Sequence, residues 1–185
     1  RWRTPAWVKK DEDRYIWYKQ SILAAYEKYG YMVDYINPNV NEAWSGAGDV
    51  KYTKKFAKWI AAESTATIKD EKALELFRKI KLVVSDEANV VSDSVAETMK
   101  SDQEFMDAVD VVGYHYKTAD DNNGGMKWLA EVVDKEVWNS EEQATFSNSA
   151  FRPATTDKAP TVAGTGIGGS GSALEMGNTV IKSFV

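Results

Sequence analysis

Two glutamates carry the strongest chemical signal in this sequence. Glu42 lies in NPNVNEAW, residues 37–44, where the short β-prone run YMVDYIN gives way to turn residues. Glu141 lies in KEVWNSEEQ, residues 135–143, at the polar end of another apolar run. If these runs are strands of one barrel, the two carboxylates converge at its carboxyl end, and converging carboxylates are what glycoside hydrolysis requires. One protonates the leaving oxygen, and in retaining enzymes the other attacks from about 5–5.5 Å away. Glu142 competes with Glu141 for the second role, but successive strand residues face opposite sides, so only one of them can serve. Taken singly, each glutamate reads as a solvated carboxylate, because charged side chains rarely leave the surface. Their shared position at strand ends is what singles them out.

Composition removes most other chemistries. The 185 residues contain no cysteine, which excludes disulfides, thiolate nucleophiles and cysteine zinc sites, and the single histidine excludes a histidine-rich metal site. No metal or other cofactor is therefore expected. Net charge is -5, and the 23 Lys and Arg are scattered rather than gathered into a stripe, so no footprint for nucleic acid exists. No apolar run approaches the roughly 20 residues of a membrane helix, and RWRTPAWVKK at the N-terminus is not a signal peptide, so no stable membrane insertion is expected. With 43% hydrophobic residues the chain can bury a core. Seven Trp and nine Tyr suit a carbohydrate cleft, where aromatic faces stack on sugar C–H faces, and equally suit an ordinary core. GTGIGG, residues 164–169, matches a dinucleotide fingerprint but lacks a preceding strand and a following acidic residue, so it reads as a loop. TADDNNGG, residues 118–125, lacks the ligand spacing of a calcium loop and reads as a turn.

The elements that must hold the two glutamates follow from periodicity. Tyr15, Ile16, Ile22, Leu23 and Tyr26 have helical spacing over residues 13–29, and Gly30 stands where a helix ends. A strand is predicted over 31–37. Asp49 is the expected cap of a second helix that turns Val50, Phe56, Trp59 and Ile60 inward and Lys54, Lys55 and Lys58 outward. EKALELFRKI then leads into a strand over 81–89. One helix is predicted over 92–109 with Ser92 or Asp93 as cap, then a strand DVVGYHY, a helix over 125–133, a strand over 135–143, a loop over 144–171 and a closing helix. Alternation of this kind predicts an α/β fold with a parallel sheet. Each strand is apolar along its body and polar at its carboxyl end, where TIM barrels and doubly wound sheets both bind ligands. A barrel needs about 250 residues, so the expectation is part of a (β/α)8 TIM barrel.

Five segments then resemble one family. DYINPNVNEAW is similar to the fourth-strand signature of clan A glycoside hydrolases, in which Asn and the acid/base Glu end the strand; this maps onto Asn41 and Glu42. VWNSEE resembles the seventh-strand Trp-x-Ser-Glu of galactocerebrosidase and its relatives in glycoside hydrolase family 59, which maps the nucleophile onto Glu141. SDEAN resembles the end of strand five, VDVVGYHY the sixth strand with its Gly-x-His-Tyr, and WRTPAW the segment after strand three. NPNVNE is also similar to family 30 galactanases. The resemblance implies that residues 1–185 are a partial catalytic barrel running from the end of strand three to the helix after strand seven, with strands one, two and eight missing. With two unpaired sheet edges, such a chain is expected to aggregate or to depend on further segments.

What the resemblance implies chemically is hydrolysis of β-galactosidic or related β-glycosidic bonds, with retention, in a glycan or glycolipid. Glu42 is the expected acid/base and Glu141 the expected nucleophile. Asn41 is suited to the sugar 2-hydroxyl, His115 or Tyr116 to donating to the nucleophile, Trp2 to stacking on the ring, and Asp86 to holding a hydroxyl. Retaining hydrolysis also needs two unlike environments, one keeping an acid protonated and one keeping a nucleophile ionised. A secreted, extracellular or lysosomal-type location is implied. The competing reading is a barrel that binds carbohydrate without cleaving it.

Overall fold

The computed structural model describes residues 4–115 and 124–141. In chain order they form α1 (Asp11–Tyr29), β1 (Tyr35–Ile36), α2 (Ala47–Ala62), α3 (Glu71–Phe77), β2 (Lys81–Ala88), α4 (Asn89–Ser101), α5 (Gln103–Ala108), β3 (Val111–His115), α6 (Gly125–Glu131) and β4 (Glu136–Glu141). The strands make one four-stranded parallel sheet in the order β1-β2-β3-β4, with Tyr35 opposite Lys81 and Ile36 opposite Leu82. Alternating helices and parallel strands in sequential order are the architecture of a partial TIM barrel. The predicted closing helix, the GTGIGG loop, Glu142 and most of TADDNNGG lie outside the described residues, as do Trp2 and Tyr116. No described helix is long and apolar enough to cross a membrane.

The described residues fall into two compact units. One takes those up to Ser85 together with Thr98–Val111, and the other takes Asp86–Glu97 together with those from Val112 onward. In the first unit, α1 opens on Asp11, Glu12 and Asp13, favourable at the positive end of a helix dipole, and closes on Gly30, whose φ of 78° only glycine adopts cheaply. Its buried face is Tyr15, Tyr18 and Ile22. Ile16, expected on that face, is 47% exposed, because one residue's step turns it about 100° from Tyr15. The α1 face packs with Tyr52, Phe56 and Ile60 of α2 and with Leu74 and Phe77 of α3 into the core of this unit. Phe56 lies at its centre, edge-on to Tyr15, Tyr18 and Tyr52.

Four local expectations are corrected. The strand predicted over 31–37 shrinks to Tyr35–Ile36, since its neighbour pairs with only two residues and Pro38 has no N–H to extend the ladder. Asp49 does not cap α2. Gly46 holds that position, and the Asp49 carboxylate, in the first turn, reaches back to accept from the backbone N–H (2.5 Å) and hydroxyl (2.8 Å) of Ser45. The helix predicted over 92–109 is two helices, broken at Asp102, whose Oδ1 accepts the Phe105 N–H at 2.9 Å and starts α5. Because α4 already begins at Asn89, Ser92 and Asp93 are not its caps either. Ser92 instead donates to the carbonyl of Gly113 at 2.9 Å, and Asp93 accepts the Gly125 N–H at 2.6 Å, tying α4 to β3 and α6 within the second unit.

Candidate active site

In the first unit the turn after β1 carries Asn41 and Glu42. It is anchored just before them, where Asn39 is buried, donates from Nδ2 to the Thr53 hydroxyl at 2.9 Å, and accepts nothing on Oδ1 among the described residues. Arg14 adds a bond to the Pro38 carbonyl at 3.2 Å, and the Asn39 N–H closes a tight turn on the Asn37 side chain at 2.9 Å. Asn41 is half-buried, and its Nδ2 is buried without a partner among the described residues. Leaving a buried donor unmet costs about 1–3 kcal/mol, so this amide is a donor in want of an acceptor. Glu42 is exposed and sits at φ 55°, a left-handed conformation that costs a non-glycine residue roughly 1–2 kcal/mol. Such strain persists where the surroundings impose it and clusters at functional sites.

In the second unit the carboxyl ends of β2, β3 and β4 bring Asp86, His115 and Glu141 together. Ser85 and Asp86 are consecutive left-handed residues, at φ 77° and 51°, which redirect the end of β2. The Asp86 Oδ1 then accepts the Ser140 hydroxyl at 2.6 Å, and the same hydroxyl lies 3.2 Å from the Tyr114 carbonyl. Asp86 can lie there only because Gly113 has no side chain: a Cβ on Gly113 would stand 2.4 Å from Asp86 Oδ1 and 3.0 Å from Ser140 Oγ. His115 is buried at 2% exposure, with Nε2 3.8 Å from Asp86 Oδ1, and a ring nitrogen lies within 4.8 Å of a Glu141 carboxylate oxygen. Glu141 itself is half-buried and is the last residue of β4.

Of the residues singled out in the sequence, Asp86, His115 and Glu141 thus share one cluster within the second unit, and Asn41 and Glu42 are residues of the first unit. Ser140 and Gly113 were missed. The available signal was Gly113 itself, since a glycine inside a strand marks a close approach by another group.

The solved structure of SrfJ from Salmonella typhimurium is similar to this chain, with a TM-score of 0.51 at 17% identity over 77% of this chain and 33% of that one. At that identity the likeness is one of fold, and this chain spans about a third of that structure's length. No curated protein matches the sequence. With an alternating parallel sheet and polar residues gathered at its strand ends, residues 1–185 match Glycosyl hydrolase family 59 throughout, and the chain belongs to that family.

Proposed function

We propose that this chain is part of the catalytic TIM barrel of a retaining glycoside hydrolase that cleaves β-galactosidic or related β-glycosidic bonds in a glycan or glycolipid. The observation that carries the reading is that, in a chain of this family, Glu42 follows one strand of a parallel sheet and Glu141 ends another. Glu42 protonates the glycosidic oxygen as its bond to the anomeric carbon breaks, and a Glu141 oxygen forms the new bond to that carbon. Glu42, now a carboxylate, takes a proton from water, whose oxygen displaces Glu141 and releases the sugar. Two inversions give net retention.

The unmet Asn41 amide is suited to a sugar hydroxyl next to the acid. His115 and Asp86 supply polar partners beside Glu141, and the Asp86 carboxylate, 16% exposed, keeps an accessible edge for a hydroxyl. Trp2 and Tyr116 enter this reading by resemblance alone. The substrate class fits a secreted, extracellular or lysosomal-type protein.

The test is to change Glu42→Gln and Glu141→Gln separately in the full-length protein and to follow a β-galactoside with an unactivated alkyl leaving group, which needs the proton from Glu42. Binding kept and hydrolysis lost in both supports the assignment, and NMR of the first-formed product should show the substrate's anomeric configuration. Hydrolysis that survives both changes sinks it. Carbohydrate binding by a wild-type protein that cleaves none of the β-glycosides offered favours the non-catalytic reading.

A further inference from the structure

We propose that Ser140 and Asp86 are positioning residues, a clamp laid across β3 that sets His115 and Glu141 relative to each other. This rests on the proposed role of Glu141 as nucleophile. The clamp joins β2 to β4 directly, although β3 lies between them in the sheet. It does so by passing over Gly113, where a side chain would block it. The Ser140 hydroxyl has a single proton. With Asp86 Oδ1 at 2.6 Å and the Tyr114 carbonyl at 3.2 Å, that proton belongs to the carboxylate, which makes a charge-assisted bond.

Two features show that the arrangement is built rather than incidental. Asp86 reaches its place only through two successive left-handed residues, a conformation that neither Ser nor Asp adopts without cost. And its Oδ1, while holding Ser140, stands 3.8 Å from the buried Nε2 of His115. His115 lies two residues beyond Gly113 and so on the same face of β3. Ser140 directly precedes Glu141, so fixing its side chain fixes the last peptide of β4. A carboxylate that must meet an anomeric carbon in line gains from this, since a misplacement of about 1 Å can cost roughly 100-fold in rate.

The experiment pairs a structural readout with a kinetic one. His115 is the only histidine of residues 1–185, and in the full-length protein its imidazole NMR signals are identified by their loss in His115→Gln. Ser140→Ala and Asp86→Asn should each shift those signals, and Ser140→Thr, which keeps the hydroxyl, should leave them near wild type. In the full-length protein the Ala and Asn variants should both lower kcat by roughly 10- to 100-fold, with KM nearly unchanged in Ser140→Ala and raised in Asp86→Asn, whose carboxylate also faces the sugar hydroxyl. Ser140→Thr should keep most of the rate, and the Ala–Asn double variant should lose no more than either single. Gly113→Ala, which removes no polar group, should reproduce the loss by pushing Asp86 aside. If it does not fold, the exposed Ser140 still carries the test. Unmoved His115 signals, or a wild-type kcat in both Ser140→Ala and Asp86→Asn, overturn the clamp while leaving the two-glutamate reading intact. If Glu42→Gln and Glu141→Gln also hydrolyse normally, it is the functional reading that fails, and the His115 signals still decide the clamp.

Discussion

Tyr15 of α1 donates its hydroxyl to Glu63, 48 residues later, across 2.6 Å in the interior of the first unit. Lys19 reaches the other oxygen of the same carboxylate at 2.6 Å, and the Thr67 hydroxyl donates to it as well. Glu63 closes the carboxyl end of α2, where the helix dipole disfavours negative charge, so these three donors are what make a buried carboxylate tolerable there. Burial and the Glu63 bond in turn push the Tyr15 hydroxyl well above its ordinary range.

That arrangement predicts an acid-labile first unit. Burial alone would raise the Glu63 carboxyl, but the bonds from Lys19, Thr67 and Tyr15 outweigh it and hold it below its ordinary value of 4.5. The folded state therefore takes up this proton less readily than the unfolded chain. Its contribution is fully present above about pH 4.5 and is lost as pH falls through the lower folded value. Urea unfolding across that range should show stability dropping with acid, and Glu63→Gln should flatten the drop. Glu63→Ala at neutral pH, which leaves Lys19 and Tyr15 facing nothing, should cost about 3 kcal/mol.

Removing the ring at the centre of the core should be as damaging. Phe56 is 1% exposed and meets Tyr15, Tyr18 and Tyr52 with centroids 5.1, 5.9 and 5.8 Å away. Phe56→Ala opens a cavity among three rings, of which Tyr15 is held in place by its bond to Glu63, so a loss of about 3–5 kcal/mol is expected in denaturant titration. Phe56→Leu should recover much of it.

In the second unit, Gly125→Ala should behave as a hydrogen-bond deletion. The added methyl would lie 2.1 Å from Asp93 Oδ1, displacing the carboxylate that accepts the Gly125 N–H, and 3.0 Å from the Ala96 Cβ. About 1–3 kcal/mol should be lost. Asp93→Ala removes the same bond from its other side, so the double variant should fall well short of the sum of the singles.

The two proposed catalytic glutamates should differ in their dependence on the leaving group. Glu42→Gln removes the proton donor and should lower kcat by about 10²–10⁴ on a substrate with a poor leaving group, but far less on an activated aryl glycoside. Glu141→Gln should abolish turnover of both. Equal losses for the two variants on both substrates would count against the assignment.

Much of this was legible in the residue order. The Gly30 stop of α1, the apolar runs of β2, β3 and β4, and the placing of Asp86, His115 and Glu141 at strand ends follow from period and turn chemistry. What escaped depended on partners distant in sequence. Ser92 and Asp93 have the composition of caps, yet their side chains serve Gly113 and Gly125 instead. The break at Asp102 belongs to a cap that Lys54, 48 residues earlier, reinforces from α2 at 2.7 Å. Ser140 is an exposed serine by type, and its bond exists only because Asp86 leaves the regular strand conformation and Gly113 leaves room.

Because β1 is so brief, bonds outside the sheet are what tether Glu42. Its strand is pinned to β2 by two register pairs and stands first in the described sheet order, whereas Glu141 ends a six-residue strand. Backbone held by so few bonds opens locally long before the protein unfolds as a whole. Amide hydrogen exchange should therefore run fastest, among the described strands, through Tyr35 and Ile36, while the bonds of Asn39 to Thr53 and of Arg14 to the Pro38 carbonyl still hold the Asn41–Glu42 turn.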